Sequence, residues 1–153
     1  MSPTAPRATH LPRAGIDPIG DDAAALAVVR AVAAQPARHE TIVVLLDQFR
    51  RGIALVVVGD TVDPDSILEV AERILDPAVH DGRVGAAFIA SIRPAGGWAE
   101  SEHRDLTDAE RWLDLDEIAS AHDVELLEWY VLSRGRREEL SRPRGLVNAP
   151  PRW

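Results

Sequence analysis

Apolar residues occur along the chain in two kinds of spacing, and each kind predicts a different element. Short unbroken apolar runs at Thr41–Leu46 and Ile53–Val58 are typical of strands that are buried on both faces. Elsewhere apolar residues recur every three or four positions, as on one face of a helix. In the segment 64–76 they are Ile67, Leu68, Ala71, Ile74 and Leu75.

These spacings predict the element order α-β-β-α-β-α-β. Helices are expected over residues 22–35, 64–76 and 108–121. Strands are expected over residues 41–46, 53–58, 85–91 and 123–134. A hairpin followed by two strand–helix–strand crossovers predicts an α/β fold whose central mixed sheet of four main strands is flanked by helices on both faces.

The composition divides the chain into one domain and two terminal segments outside it. Residues 1–19 are rich in Pro and polar residues without periodicity, which predicts a disordered N-terminal arm. Residues 20–135 contain all the predicted elements and form the α/β domain. Residues 136–153 are an Arg- and Pro-rich C-terminal tail.

Composition excludes several classes of chemistry. The chain has 153 residues and no Cys, so disulfides, thiolate catalysis and Cys-bound zinc are ruled out. All 17 basic residues are Arg, so there is no lysine for a Schiff base. No apolar run is long enough for a membrane helix, and the N-terminus lacks the apolar region of a secretory signal. A cytoplasmic location without membrane contact is therefore expected.

The charge is unevenly distributed. The net charge of −8 opposes binding to nucleic acid, whose affinity depends on neutralised phosphates. Residues 134–153 carry six Arg against two Glu, a local charge of +4, so nucleic acid is expected only at this tail. Trp beside Arg is a common interface anchor, which gives four interface candidates. They are Trp98, Trp153, Arg142 and Arg144.

The loop after the third predicted strand is the main candidate for chemistry, because α/β sheets place ligands at the carboxyl ends of strands. Arg93 beside Gly96 and Gly97 could bind a phosphate or carboxylate. The alternative, which we prefer, is an internal ion pair between Arg93 and Asp108 or Glu110.

A metal site further along this loop is a second hypothesis. His103, Asp105 and Asp108 offer nitrogen and oxygen ligands. The simpler interpretation is that the acidic residues cap the following helix, whose N-terminus favours anions. No Ser lies in a G-x-S-x-G motif, so nucleophilic serine chemistry is not indicated.

Several short motifs, in shared order and spacing, resemble the JAB/MPN metallo-isopeptidase-like family and in particular its bacterial RadC-like branch. The matching stretches are Ile42–Asp47 for a VVLLLD strand, Gly59–Pro64 for a G-T strand end before a Pro-introduced helix, Ser91–Gly96 at the H-x-H-P-S-G position, and Val124–Glu128 for the last strand. The resemblance covers about residues 20–135 and implies a cytidine-deaminase-like fold.

The resemblance also implies that the zinc site of the family has lost most of its ligands in this chain. In that family the two His of H-x-H and one Asp bind zinc, and a Glu on an earlier strand is the general base. Here Ser91 and Arg93 stand at the two His positions, followed by the retained Pro94. The Asp position falls on Asp108, or on Glu110 if the loop is placed differently. The strand 53–58 contains no Glu.

The predicted function is therefore a non-catalytic JAB/RadC-like domain, a pseudoenzyme without cofactor that acts as a protein-interaction or scaffold module. Its partner would be an unknown protein or a second copy of the chain. One alternative is an enzyme, either a hydrolase with its metal relocated to His103, Asp105 and Asp108 or a phosphate-binding enzyme that uses Arg93. Another is a DNA-repair accessory protein, suggested by the traditional label of the RadC-like branch.

Overall fold

The computed structural model describes residues 11–94, 109–133, 139–140 and 153. The helices are α1 (Asp22–Val32), α2 (Pro64–Leu75), α3 (Pro77–His80) and α4 (Ala109–Ala121). The strands are β1 (Glu40–Leu46), β2 (Gly52–Gly59), β3 (Ala86–Arg93), β4 (Glu125–Ser133) and β5 (Glu139–Leu140).

The strands form one mixed sheet in the order β2-β1-β3-β4-β5. Strand β1 is antiparallel to both β2 and β3, whereas β3 and β4 are parallel. The α/β class and the mixed sheet predicted from the hydrophobic pattern are confirmed. The short strand β5 pairs antiparallel with β4 at Tyr130 and Val131, and it lies in the segment that the sequence assigned to the tail.

Helices cover both faces of the sheet, and the side chains of each strand alternate between them. On the α2/α4 face, Val43 of β1 and Ile89 of β3 pack with α2 and α4. On the α1 face, Ile42 and Val44 of β1 and Phe88 of β3 pack with α1. Because both faces are covered, the central strands are unbroken apolar runs rather than alternating ones.

Strand β3 is longer than predicted, and this corrects the sequence analysis. The strand was expected to stop at Ser91, with the following polar residues in a loop. Instead β3 continues to Arg93, since Ile92 pairs with Glu40 of β1 and Arg93 pairs with Ser133 of β4. Pairing with β1 on one side and β4 on the other keeps the end of β3 in the sheet. The polarity of a residue in the sequence does not indicate whether it has such strand partners.

Part of the predicted N-terminal arm lies against the β1–β2 hairpin. Pro18 forms a β-bridge with Arg51, and the Ile19 amide donates to the Arg50 carbonyl at 2.8 Å. The Ile19 side chain is buried and packs on the α1 face. This packing gives the segment before α1 an apolar anchor on the sheet.

Helix α2 begins with a side-chain cap. Asp63 accepts a hydrogen bond from the Ser66 amide and another from the Ser66 hydroxyl, both at 2.9 Å. Pro64 occupies the first turn, where its missing N–H costs nothing. The two bonds from Ser66 lower the pKa of Asp63 below its ordinary value of 3.8.

Removing this cap is expected to weaken the fold in a pH-dependent way. Asp63→Ala should lower the free energy of unfolding by about 1 kcal/mol at neutral pH, since the first-turn amides lose their acceptor. A lowered folded-state pKa stabilises the protein above the ordinary carboxyl pKa, and that contribution is lost as the pH falls through the lowered value. Urea unfolding of both proteins over an acid pH series measures the effect.

The control for this prediction is Asp63→Asn. Asparagine caps helices about as well as aspartate, so it should keep most of the stability at neutral pH. It carries no carboxyl group, so the pH dependence contributed by position 63 should disappear. Equal stability of Asp63→Ala and the wild type at neutral pH would contradict the capping role.

Candidate functional site

The carboxyl end of β3 carries a cluster of buried polar side chains. Ser91 and Arg93 follow Ile89 by the strand alternation and therefore lie on the α2/α4 face. Thr41 of β1 is the register partner of Ser91, and Thr61 follows the end of β2. We call these residues the polar cluster; all four are at most 3% exposed.

Hydrogen bonds connect the polar cluster internally. The Thr41 and Thr61 hydroxyl oxygens lie 2.7 Å apart. The Ser91 hydroxyl accepts a bond from the indole Nε1 of Trp129 at 2.9 Å. Arg93 Nη1 donates to the Thr61 carbonyl at 2.7 Å and to the Ile92 carbonyl at 3.2 Å. These bonds offset much of the cost of burying polar groups beneath two helices.

The electrostatics of the cluster are dominated by Arg93. Its guanidinium stays protonated in proteins and has only donors, so it cannot ligate a metal. Its side chain is fully buried, and backbone carbonyls accept from it. Glu110, one predicted ion-pair partner, is exposed in the first turn of α4. Asp108, the other, lies outside the described residues.

Two further polar residues, His39 and Glu40, lie at the start of β1, where strand alternation places the Glu40 side chain on the α1 face, opposite the polar cluster. Glu40 pairs in register with Ile92, yet its buried carboxylate accepts from the Ala34 amide at 2.8 Å and from Arg38 Nε at 3.4 Å. These two bonds connect the segment between α1 and β1 to the start of the sheet. The carbonyl of His39, one position earlier, accepts from the Asp60 amide at 2.9 Å.

The remaining predicted site residues divide into two groups. Pro94 is the last described residue after β3. Trp153 is half-buried, and its ring centroid lies 5.6 Å from that of Phe88, so this interface candidate packs on the α1 face. The others lie outside the described residues. They are Gly96, Gly97, Trp98, His103, Asp105, Arg142 and Arg144.

Sequence reasoning missed Thr41, Thr61 and Trp129 as members of this site. A signal for Thr41 was available, since residues two apart on a strand share a face and Thr41 precedes the buried Val43. The same spacing relates Trp129 to Val131 in the last predicted strand, whereas no comparable signal exists for Thr61. Both reach the cluster only through tertiary packing.

A second buried polar contact lies on the α1 face. The Tyr130 hydroxyl donates to Asp22 Oδ1 at 2.6 Å. Burial, followed by the contact with Asp22, raises the pKa of Tyr130 far above its ordinary value of 10.0. The phenol therefore remains protonated at neutral pH and serves as a donor between β4 and α1, not as a phenolate nucleophile.

Within the ranges that the structure describes, no group of three His, Asp or Glu side chains is arranged to hold a metal ion. Among the same residues, no helix combines the length and apolarity needed to cross a membrane. The sequence matches no protein-family model and no curated protein.

Proposed function

We propose that this chain is a non-catalytic domain of the JAB/RadC-like kind, with a cytidine-deaminase-like fold, that acts as a protein-interaction or scaffold module. The element order supports the resemblance. The hairpin of β1 and β2, the Pro-introduced helix α2, the strand β3 and the strand β4 follow one another as the resembling motifs do. Fold resemblance alone does not establish an activity, so the site residues carry the argument.

The main support for a non-catalytic role is the burial of Ser91 and Arg93. A catalytic zinc needs three side-chain ligands with free lone pairs and an open coordination position. Arg93 has no lone pair to offer, and the buried Ser91 hydroxyl already accepts a hydrogen bond from the indole of Trp129. At the two positions that would hold zinc, this chain therefore has hydrogen bonds that stabilise the end of the sheet.

Support for an interaction role comes from exposed apolar side chains. Large hydrophobic residues are exposed in the β1–β2 hairpin and just after it: Phe49, Ile53, Val57 and Val62. Single exposed apolar residues are ordinary, whereas several on one hairpin are typical of a contact surface. The polar cluster of this domain is buried, but the exposed apolar side chains still give it a surface that can bind protein.

Metal analysis tests the non-catalytic proposal. Native protein purified without chelator or metal-binding tag should contain much less than one zinc per chain. Added Zn²⁺ should leave its melting temperature unchanged, because a metal that binds only the folded state would raise it. Elemental analysis and thermal melts with and without Zn²⁺ are the measurements.

If zinc does bind, variants of the loop after β3 identify the residues that hold it. One zinc per chain, lost in His103→Ala or Asp108→Ala, would contradict the proposal and indicate the relocated hydrolytic site. His122→Ala is the matched control, because His122 lies after α4 and its Nε2 contacts Glu72 at 3.1 Å. Its replacement should leave any zinc content unchanged.

A further inference from the structure

A cleft lies beside the start of β3, at the opposite end of this strand from the polar cluster. It is lined by the turn between β1 and β2, by Ile53 and by the segment 82–85 that leads into β3. Its volume is about 530 Å³, within the range of about 300–1,000 Å³ that is usual for small-molecule sites. None of the site residues predicted from the sequence lines it.

Hydrogen bonds fix the backbone on both sides of the cleft. Asp47 Oδ1 accepts from two amides of the turn, at 2.8 and 3.0 Å. The Gly85 amide donates to the Leu46 carbonyl at 2.9 Å. A Cβ at position 85 would come within 3.1 Å of Gln48 Cα, so glycine lets the two segments approach closely. The side chains of the cleft are therefore held on a preformed backbone.

Two arginines give the cleft unused hydrogen-bond donors. Arg51 donates from Nε to Asp47 Oδ2 at 2.9 Å, which offsets its charge, but its two Nη groups donate to no other described residue. Arg83 is exposed, and its side chain has no hydrogen bond or ion pair with any residue that the structure describes. With two Arg against one Asp, the lining carries a charge of +1 on a chain of −8. This local charge favours an anion.

Phe49 adds an aromatic surface to the same cleft. Its side chain is 61% exposed, and Arg51 Cζ lies over the ring at 4.9 Å from the centroid. This cation–π contact holds the guanidinium against the ring. Aromatic rings pack well on such flat surfaces. The cleft thus combines a surface for a ring with donors for an anion.

We propose that this cleft binds a small molecule that carries an oxyanion, either phosphate or carboxylate, on an aromatic or heterocyclic ring. Arg83 pairs with the oxyanion, the Nη groups of Arg51 donate to it, and the ring packs against Phe49. The planar donors of arginine match the oxygens of both groups. This site goes beyond the interaction role proposed above and does not depend on it.

The size and charge of the cleft favour a small molecule over a protein or a nucleic acid. A stable protein interface uses about 20–30 residues on each side. Only nine described residues line the cleft. Binding to nucleic acid depends on neutralising several phosphates, which one uncompensated positive charge on a chain of −8 does not do. A single oxyanion group matches that one charge.

Calorimetric titration of the full-length chain at low salt is the first test. Phenyl phosphate and benzoate should both bind in a saturable way. Inorganic phosphate and acetate, which lack the ring, should bind about tenfold more weakly than the matching ring compound, because the packing on Phe49 is lost. Whichever ring compound binds more tightly identifies the anionic group that the site prefers, phosphate or carboxylate.

Matched variants place the binding in the cleft. Arg83→Gln should weaken both ring compounds about tenfold or more, because a hydrogen bond to a charged group is lost. Phe49→Ala should lower the affinity for phenyl phosphate to that for inorganic phosphate. Arg73→Gln is the control, since Arg73 is exposed on α2 and does not line the cleft, and it should bind as the wild type does. Both replaced cleft side chains are exposed, so these variants should keep the wild-type melting temperature.

Three results would overturn the site. The first is no saturable binding of either ring compound. The second is inorganic phosphate that binds as tightly as phenyl phosphate, which would indicate an adventitious ion only. The third is a folded Arg83→Gln variant with wild-type affinity for both ring compounds. The zinc content of the chain bears on none of these results, so the site and the non-catalytic proposal can fail separately.

Discussion

Arg93→Ala is expected to lower the free energy of unfolding by about 3 kcal/mol or more, through a cavity and an unsatisfied carbonyl. The Arg93 side chain is fully buried at the end of β3, so truncation removes a long side chain from a packed interior. It also leaves the Thr61 carbonyl without the donor that lies 2.7 Å away. The polar cluster would then lose its connection between β3 and the end of β2.

Denaturant unfolding followed by circular dichroism measures this loss, and two variants locate its cause. Arg93→Met keeps most of the volume but not the donor, so it should cost about 1–3 kcal/mol, the penalty of one unsatisfied buried polar group. Arg73→Ala is the matched control: Arg73 is exposed and pairs with Glu69 at 2.8 Å. Such surface pairs contribute at most about 1 kcal/mol.

Two results would contradict this account of Arg93. A loss for Arg93→Ala no larger than that for Arg73→Ala would mean that the buried guanidinium contributes nothing to the fold. An Arg93→Met variant as stable as the wild type would mean that the side chain acts only by filling space. Either result would remove the main support for a closed polar cluster.

Trp129→Ala is expected to cost about 3–5 kcal/mol, the range for truncating a large aromatic residue in a core. Trp129 is fully buried on the α2/α4 face, where it packs among residues of α2, α4 and β3. The same side chain donates from Nε1 to the Ser91 hydroxyl at 2.9 Å. Packing and the hydrogen bond therefore both contribute, and they can be measured separately.

A double-mutant cycle separates them. Ser91→Ala in the wild type should cost about 1–3 kcal/mol, because the indole N–H loses its acceptor in a buried site. In a Trp129→Phe background the same change should cost much less, since no donor remains to be left unsatisfied. Equal costs in the two backgrounds would contradict the bond. Leu113→Ala, at an exposed position of α4, should change stability only slightly.

Helix α2 shows what local sequence can predict. Asp63 and Pro64 are strong start signals and Pro77 follows its end, so the predicted span 64–76 differs from Pro64–Leu75 by one residue. The mixed sheet also followed from local information, because a hairpin and two crossovers leave few arrangements. The JAB/RadC-like resemblance stays a prediction, since its motifs are short and no family model matches.

Strand β3 shows where local sequence fails. The predicted strand ends at Ser91, because Arg93 and Pro94 follow the apolar run and such residues are typical of a loop. In the fold Ser91 and Arg93 are both buried strand residues, because β1 and β4 pair with the end of β3. The Thr61 carbonyl accepts from Arg93, and the Trp129 indole donates to Ser91. Partners that lie far away along the chain leave no mark on the local pattern.

The sequence by itself determined the order of the three longer helices and four longer strands, their approximate limits and the ligand types this chain lacks, since these depend on spacing, capping and composition. It predicted neither the short helix α3 nor the short strand β5. Only the tertiary structure decided which face each central strand residue occupies, because a strand apolar on both faces has no period to read. It also brought Thr61 to Arg93 and Trp129 to Ser91, 32 and 38 residues apart along the chain. Whether these positions form an ion-binding site or part of a buried core depends on such contacts between residues far apart in the sequence.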